Sequence, residues 1–136
     1  MSTIQFSVAV RNARLDAIEV TAGATAILRI RTGAKPVACV TADAGTVLAE
    51  MTLPANWMGD ANAGAKAMAG TWQDLSGNAA GEAGHFRIYD SAGTTCHIQG
   101  SITATGGAGD MTLDNINIAV GQPITISGFT LTDGNA

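Results

Sequence analysis

Two histidines, two cysteines and a thin scatter of acids and hydroxyls are what this chain offers to chemistry. His85 and His97 lie on the two arms of GHFRIYDSAGTTCHIQGSITAT (84–105), which reads as a β-hairpin turning at Ser91-Ala92-Gly93. With the turn centred on Ala92, His85 falls opposite Gln99 or Gly100, and His97 opposite Arg87 or Ile88. That spacing keeps the two imidazoles from one metal ion and leaves each in a cross-strand hydrogen bond or a polar surface position. Cys96 adjoins His97, but consecutive strand residues face opposite sides and cannot share a ligand. Cys39 has no cysteine or histidine near it, so no metal motif forms. Both cysteines begin as thiols in a reducing compartment. A buried free thiol is expected for Cys96, with a Cys39–Cys96 bridge formed after release as the alternative.

The remaining groups fare no better. Ser91 has no His–Asp partner nearby to activate it. Asp110 and Asp114 share a strand face but sit about 13 Å apart by strand rise, which does not suit a retaining glycosidase pair. Asp90 and Asp110 would have to meet across strands. The run Gly106-Gly107-Ala108-Gly109 resembles a phosphate loop only in composition, since it precedes a strand and lacks the Lys-Ser/Thr pair. An isolated calcium ion on aspartates and loop carbonyls stays open. The residues therefore point to a protein with no catalytic, cofactor-binding or metal site, and not to an enzyme.

Composition turns this toward contact. The 136 residues are 46% apolar but only 13% charged, and aromatics are 4%. One domain fits that length. Few charges leave a surface easily buried against neighbours, which favours a homo-oligomer or a subunit of an assembly. The net charge of −4 and the scattered Lys and Arg argue against nucleic acid. No run of about 18 apolar residues is present to span a membrane, and the N-terminus carries no basic, apolar leader pattern.

The elements that must position these groups are mostly strands. Ser7–Thr21 reads as the one helix, capped by Ser7 and stopped by Gly23. Its apolar side is Val8, Leu15 and Ile18, interrupted by Asn12, with Arg11, Arg14, Asp16 and Glu19 on the other side. The competing reading makes Ile4–Val10 a strand. Ala24–Arg31 is a strand with Ala26, Leu28 and Ile30 facing one way, Ile27, Arg29 and Arg31 the other. Residues 32–45 form a loop around Pro36, and Thr46–Leu53 is the next strand. Residues 55–84 are a long irregular insertion with a short strand at Lys66–Gln73. There Trp57 and Trp72 either plug the two ends of a sandwich or anchor an interface. On the hairpin, Phe86 and Ile88 (with Cys96, Ile98, Gly100 and Ile102) form the apolar face, and His85, Arg87 and Tyr89 the polar one. Asp110–Asp114 is a strand with Met111 and Leu113 inward. Ile124–Thr132 is the last strand, where a bulge at Gly128 would reconcile the opposite parities of Ile126 and Phe129. About seven strands separated by Gly, Pro, Asn and Asp predict an all-β antiparallel sandwich or barrel with one short N-terminal helix. It spans residues 1–136 as a single domain, with 1–6 as an N-terminal arm.

Read end to end, RNARLDAIE, ILRIRTG, GTVLAEMTLP followed by WM, TWQD, the hairpin, GGAGDMTLDN and the FTLTDGNA end resemble a group of small tailed-bacteriophage and prophage virion structural proteins encoded among head and tail genes. The resemblance implies a virion location after assembly in the host cytoplasm, no enzymatic role and no catalytic residues. Its partners would be the major capsid protein or other virion proteins. A capsid decoration or cement protein is the leading expectation. A neck, tail or fibre-associated subunit and a receptor- or carbohydrate-binding accessory module are the alternatives. The residues expected at an interface are Ile4 and Phe6 in the arm, with Trp57, Met58, Trp72 and Tyr89. The N-terminal segment or residues 55–84 would lie across a partner.

Overall fold

The structure is a computed structural model and describes residues 4–134. It is mostly strand: α1 (Val8–Ala22) precedes nine strands, β1 (Ile27–Thr32), β2 (Val47–Thr52), β3 (Ala65–Ala67), β4 (Gln73–Asp74), β5 (Gly81–Tyr89), β6 (Cys96–Ala104), β7 (Met111–Leu113), β8 (Asn117–Ile118) and β9 (Ile124–Thr132). They form a curled mixed sheet in the order β2-β1-β5-β6-β7-β9-β3, with β4 also on β9 and β8 on β5. The helix forms where expected, for the expected local reasons. The Ser7 hydroxyl accepts from Val10 N at 3.2 Å, and Gly23, at φ 91°, donates its N–H to the Glu19 carbonyl at 2.9 Å.

Its orientation differs from the amphipathic reading. Of the three apolar residues, only Leu15 is buried, and Val8 is 48% exposed. The helix docks largely by its polar side. Asn12 Oδ1 accepts from Gly64 N, Asp16 Oδ1 from Ala61 N, and Arg11 Nη1 donates to the Asp133 carbonyl. Hydrogen-bond demand from the 59–64 loop, which has few side chains able to meet it, outweighs the weak apolar stripe.

The long segment 55–84 holds little regular structure but is integral to the core. It carries Trp57, Met58 and Trp72 into the core, all fully buried, and its expected single strand is two, β3 and β4, parted by Gly70 at φ 72°. The tryptophans do not plug opposite ends. Their rings stand 5.9 Å apart, and the chain of contacts continues through Phe129 to an edge-on meeting with Phe86 at 5.4 Å. Each indole N–H reaches a carbonyl, Gly23 O from Trp57 and Ala69 O from Trp72.

One pair breaks the antiparallel expectation. β6 and β7 run parallel, Ile102 opposite Met111, although only residues 105–110 connect them. Parallel neighbours ordinarily need a longer crossover. Here the chain doubles back hard against β6, and a Cβ on Gly109 would stand 2.6 Å from Thr103 N. The glycine-rich run therefore permits a reversal rather than a phosphate cradle. In β9 the anticipated bulge is present one residue before Gly128, with Ser127 the extra residue. Thr112 faces Gly128 while Leu113 faces Ile126, so Ile124, Ile126 and Phe129 all reach the core.

The hairpin turn is longer than expected, and this moves the register. Asp90 Oδ1 accepts from Thr94 and Thr95 N–H, and Asp90 N bonds to Thr95 O, closing a turn over 90–95. His85 consequently faces Ser101, Arg87 faces Gln99 and Ile88 faces Ile98. The register then slips, and Tyr89 faces Cys96. His97 is the extra residue of a bulge, and the slip turns Cys96 onto the side shared by Arg87 and Tyr89.

Candidate functional site

Strand alternation predicts a half-buried hairpin, yet both of its faces are covered. Phe86 and Ile88 enter the core, while His85, Arg87 and Tyr89 on the other face are also buried. What covers them is the 33–45 loop, a clasp laid across β1, β5 and β6. Arg31, Arg87 and Tyr89 converge because β1 and β5 pair with Arg31 opposite His85 and Arg29 opposite Arg87, stacking the polar residues of adjacent strands on one face. A single acid answers them. Asp43 Oδ1 accepts from Tyr89 OH at 2.6 Å and Arg87 Nη1 at 2.8 Å, and its Oδ2 accepts from Arg31 Nη2 at 3.1 Å. Burial by itself would raise the Asp43 carboxyl. The Tyr89 hydroxyl and the two guanidiniums outweigh it and hold that carboxyl below its ordinary range.

Further contacts fasten the rest of the clasp. Arg87 Nη2 donates to Ala38 O at 2.9 Å, and its Nε and Nη2 both reach Gln99 Oε1. Gln99 Nε2 in turn donates to Pro36 O at 2.8 Å. At the base, His85 Nδ1 lies 2.8 Å from Gly33 O, so Nδ1 carries the proton. His85 Nε2 and Arg31 Nε have no partner among the described residues. Burial pushes the imidazole pKa down, the Gly33 hydrogen bond opposes this, and Arg31 and Arg87 push it down further, keeping the ring neutral near pH 7. Gly84 is required here because a Cβ on it would meet Gly33 O at 2.2 Å.

A second charged cluster holds α1. The buried Lys66 ammonium contacts Asp16 Oδ1 at 2.7 Å, Gly59 O at 2.8 Å and Glu19 Oε1 at 3.1 Å. Burial opposes its charge, but the hydrogen bonds to the two carboxylates prevail and raise its pKa. Glu19 Oε2 also accepts from Met58 N. Helical spacing alone places Asp16 and Glu19 on a polar outer face. Their service to Lys66 has no local signature, since Lys66 lies far along the chain.

The other candidate residues are engaged in fastening. Asp110 Oδ2 takes Ser101 N and Oγ, and Asp114 Oδ1 takes Thr105 Oγ1. Asp90 caps its own turn, so it does not meet Asp110. Ser91 is exposed in that turn. His97 lines a shallow depression with Arg14, Ala17, Ile18 and Thr21 of α1. A groove of about 420 Å³ between β6 and β9 offers Asp110 as its acid, already spent on Ser101. Among the described residues no three His, Cys, Asp or Glu side chains gather as metal ligands, and no helix is long and apolar enough to cross a membrane.

Of the residues expected at an interface, Trp57, Met58, Trp72 and Tyr89 are within 2% of complete burial and present no surface. Aromatic mass in a chain so poor in it goes first to the core. Phe6 is half-buried under the Arg14 guanidinium, 4.8 Å from its ring centre, and Ile4 is 64% exposed. Val8, Val10, Val20, Leu75 and Val120 are also exposed outside that expected set, but the two most exposed apolar side chains among the described residues are Val37 and Val40 of the clasp, at 93% and 97%. Their signal lies in the sequence itself: two valines around Cys39 in a loop too long to be a plain connection.

No family model, curated protein or solved structure matches this chain.

Proposed function

We propose that this protein is a non-enzymatic structural subunit of a tailed-phage virion, a capsid decoration or cement protein that works through protein–protein contacts. The resemblance of the chain to small virion structural proteins supports the setting. The observation that carries the contact role is the clasp: its inner side is bound by seven side-chain hydrogen bonds from Arg31, Arg87, Tyr89, Gln99 and His85, while its outer side holds Val37 and Val40 almost wholly in water. A loop immobilised in this way loses little further entropy when a partner covers the valines, so burial there is retained as binding. Each contact would be small, at about 25 cal/mol per Å² of apolar area, and repetition over many identical copies would make it effective against internal pressure.

The major capsid protein, or neighbouring copies of the same subunit, is the partner on this reading. The carbohydrate-binding alternative needs exposed aromatics, whereas Trp57 and Trp72 lie in the core and Tyr89 lies beneath the clasp. Protein densitometry of purified particles tests the proposal. Hundreds of copies per particle support decoration, a dozen or fewer move the protein to the neck or tail, and absence from finished particles overturns the virion role.

A further inference from the structure

The bulge at His97 places Cys96 on the clasp side of the hairpin, opposite Tyr89, and the clasp carries Cys39 over the same face, next to the Ala38 carbonyl that Arg87 holds. Arg87 connects the two. Its Nη2 holds the carbonyl of Ala38, the residue before Cys39, and its charge acts on the Cys96 thiol. Gln99, three residues along β6 from Cys96, holds Pro36, three residues before Cys39, so the clasp is tied to β6 beside the cysteine pair. Both thiols are half-buried and unbridged, and Cys96 Sγ donates to the Ile98 carbonyl at 3.4 Å. Regular strand alternation would have put Cys96 with Ile98 on the core face, out of reach of Cys39.

We infer that Cys39 and Cys96 form a dithiol site that reacts with small-molecule disulfides of the glutathione class and closes into an intramolecular bridge locking the clasp onto the hairpin. Burial, and then the neighbouring Cys39 thiol, push the Cys96 pKa up to about 12, so its thiolate is scarce near neutral pH. Cys39 attacks first. Its thiolate bonds to one sulfur of the small disulfide, the S–S bond of that disulfide breaks, and one small thiol leaves with the electron pair and takes up a proton. Cys96 then loses its proton and attacks the Cys39 sulfur of the mixed disulfide, expelling the second small thiol. In sum, two protein thiols are oxidised to one disulfide, one small disulfide is reduced to two thiols, and both protons end on those thiols. The bridge adds a covalent tie where the clasp has only hydrogen bonds and ion pairs. This inference does not depend on the virion reading, and either can fail alone.

The test uses the full chain, purified reduced and then exposed to oxidised glutathione, with intact mass, a non-reducing peptide digest and thermal unfolding as readouts. The expected product has lost two hydrogens, yields a peptide joining Cys39 to Cys96, and unfolds about 10 °C higher than the reduced protein. Cys96→Ser should stop at one glutathione on Cys39, and Cys39→Ser should stay unmodified while folded. Should a variant not fold, the wild-type mass and linked peptide decide alone. A folded wild type that remains unreacted, retains glutathione on either cysteine, or crosslinks between molecules overturns the inference. A bridge without a rise in melting temperature overturns the lock, and an unmodified Cys96→Ser protein overturns the order of attack.

Discussion

The clasp and the helix tether solve one problem with opposite assignments of charge. In the clasp, one acid on a loop, Asp43, serves two guanidiniums and a phenol fixed on a rigid sheet. In the tether, one base on the sheet, Lys66, serves two acids on a helix. What remains after the single central residue is lost differs sharply. Without Asp43, Arg87 and Tyr89 stay buried and cannot follow their charge or hydroxyl to water. Without Lys66, the Asp16 side chain, 47% exposed, already reaches solvent, and Glu19 still accepts from Met58 N. Buried ion pairs are poor stabilisers in themselves but costly to halve, and the cost follows how trapped the orphan is.

Asp43→Ala should therefore be the most damaging change. It leaves two buried cations unanswered, and solvent at the partly exposed carboxylate reduces the loss to about 2–3 kcal/mol. Urea denaturation measures it, and amide exchange over 33–45 should rise before the rest of the sheet exchanges. Acid does the same by titration. The His85 pKa is lowered from 6.5 on folding, so its contribution is complete above that value and is lost as pH falls below it. The Asp43 pKa is lowered from 3.8, so its share is complete above 3.8 and is lost as pH falls further. Stability against pH should fall in two stages, and His85→Gln should flatten the first while leaving the second.

Gly84→Ala comes next, at about 1–3 kcal/mol, because the added methyl meets the backbone of Gly33, which has no flexible end to yield. It should loosen the clasp base while leaving α1 protected, which separates the two regions in one exchange experiment. Lys66→Met should cost about 1 kcal/mol, visible as faster exchange in α1 and little change in 33–45. A loss for Lys66→Met equal to that of Asp43→Ala would erase the distinction between the regions.

These differences also mark what is legible in the chain and what is not. The Ser7 and Gly23 caps, the strand β9 and its bulge beside Gly128 are legible because each rests on neighbours in the chain: a hydroxyl three residues from an amide, a parity conflict around one glycine. The clasp is not. Arg87 and Tyr89 have the pattern of a solvated strand face, since nothing local says that a loop some forty residues upstream will bring Asp43 over them. The long turn at 90–95 is hidden in Asp90, whose carboxylate could cap as readily as pair, and the register of every later residue on β6 follows from it. Titratable groups are scarce in this chain. What that scarcity does not disclose is how fully those groups are committed to fastening one segment to another.

Val37 and Val40 carry the smallest expected effect on folding and the largest on contact. Replacing both by serine should shift the urea midpoint by less than about 0.5 kcal/mol equivalent, because neither side chain touches the core. The direct measurement is the occupancy of that double variant on particles assembled in its presence, compared with the unaltered chain at equal concentration. A folded variant that no longer accumulates on particles is the predicted result. Unchanged occupancy, with the clasp still closed by amide exchange, would contradict the claim that the inner side of this loop is fastened so that its outer side can bind.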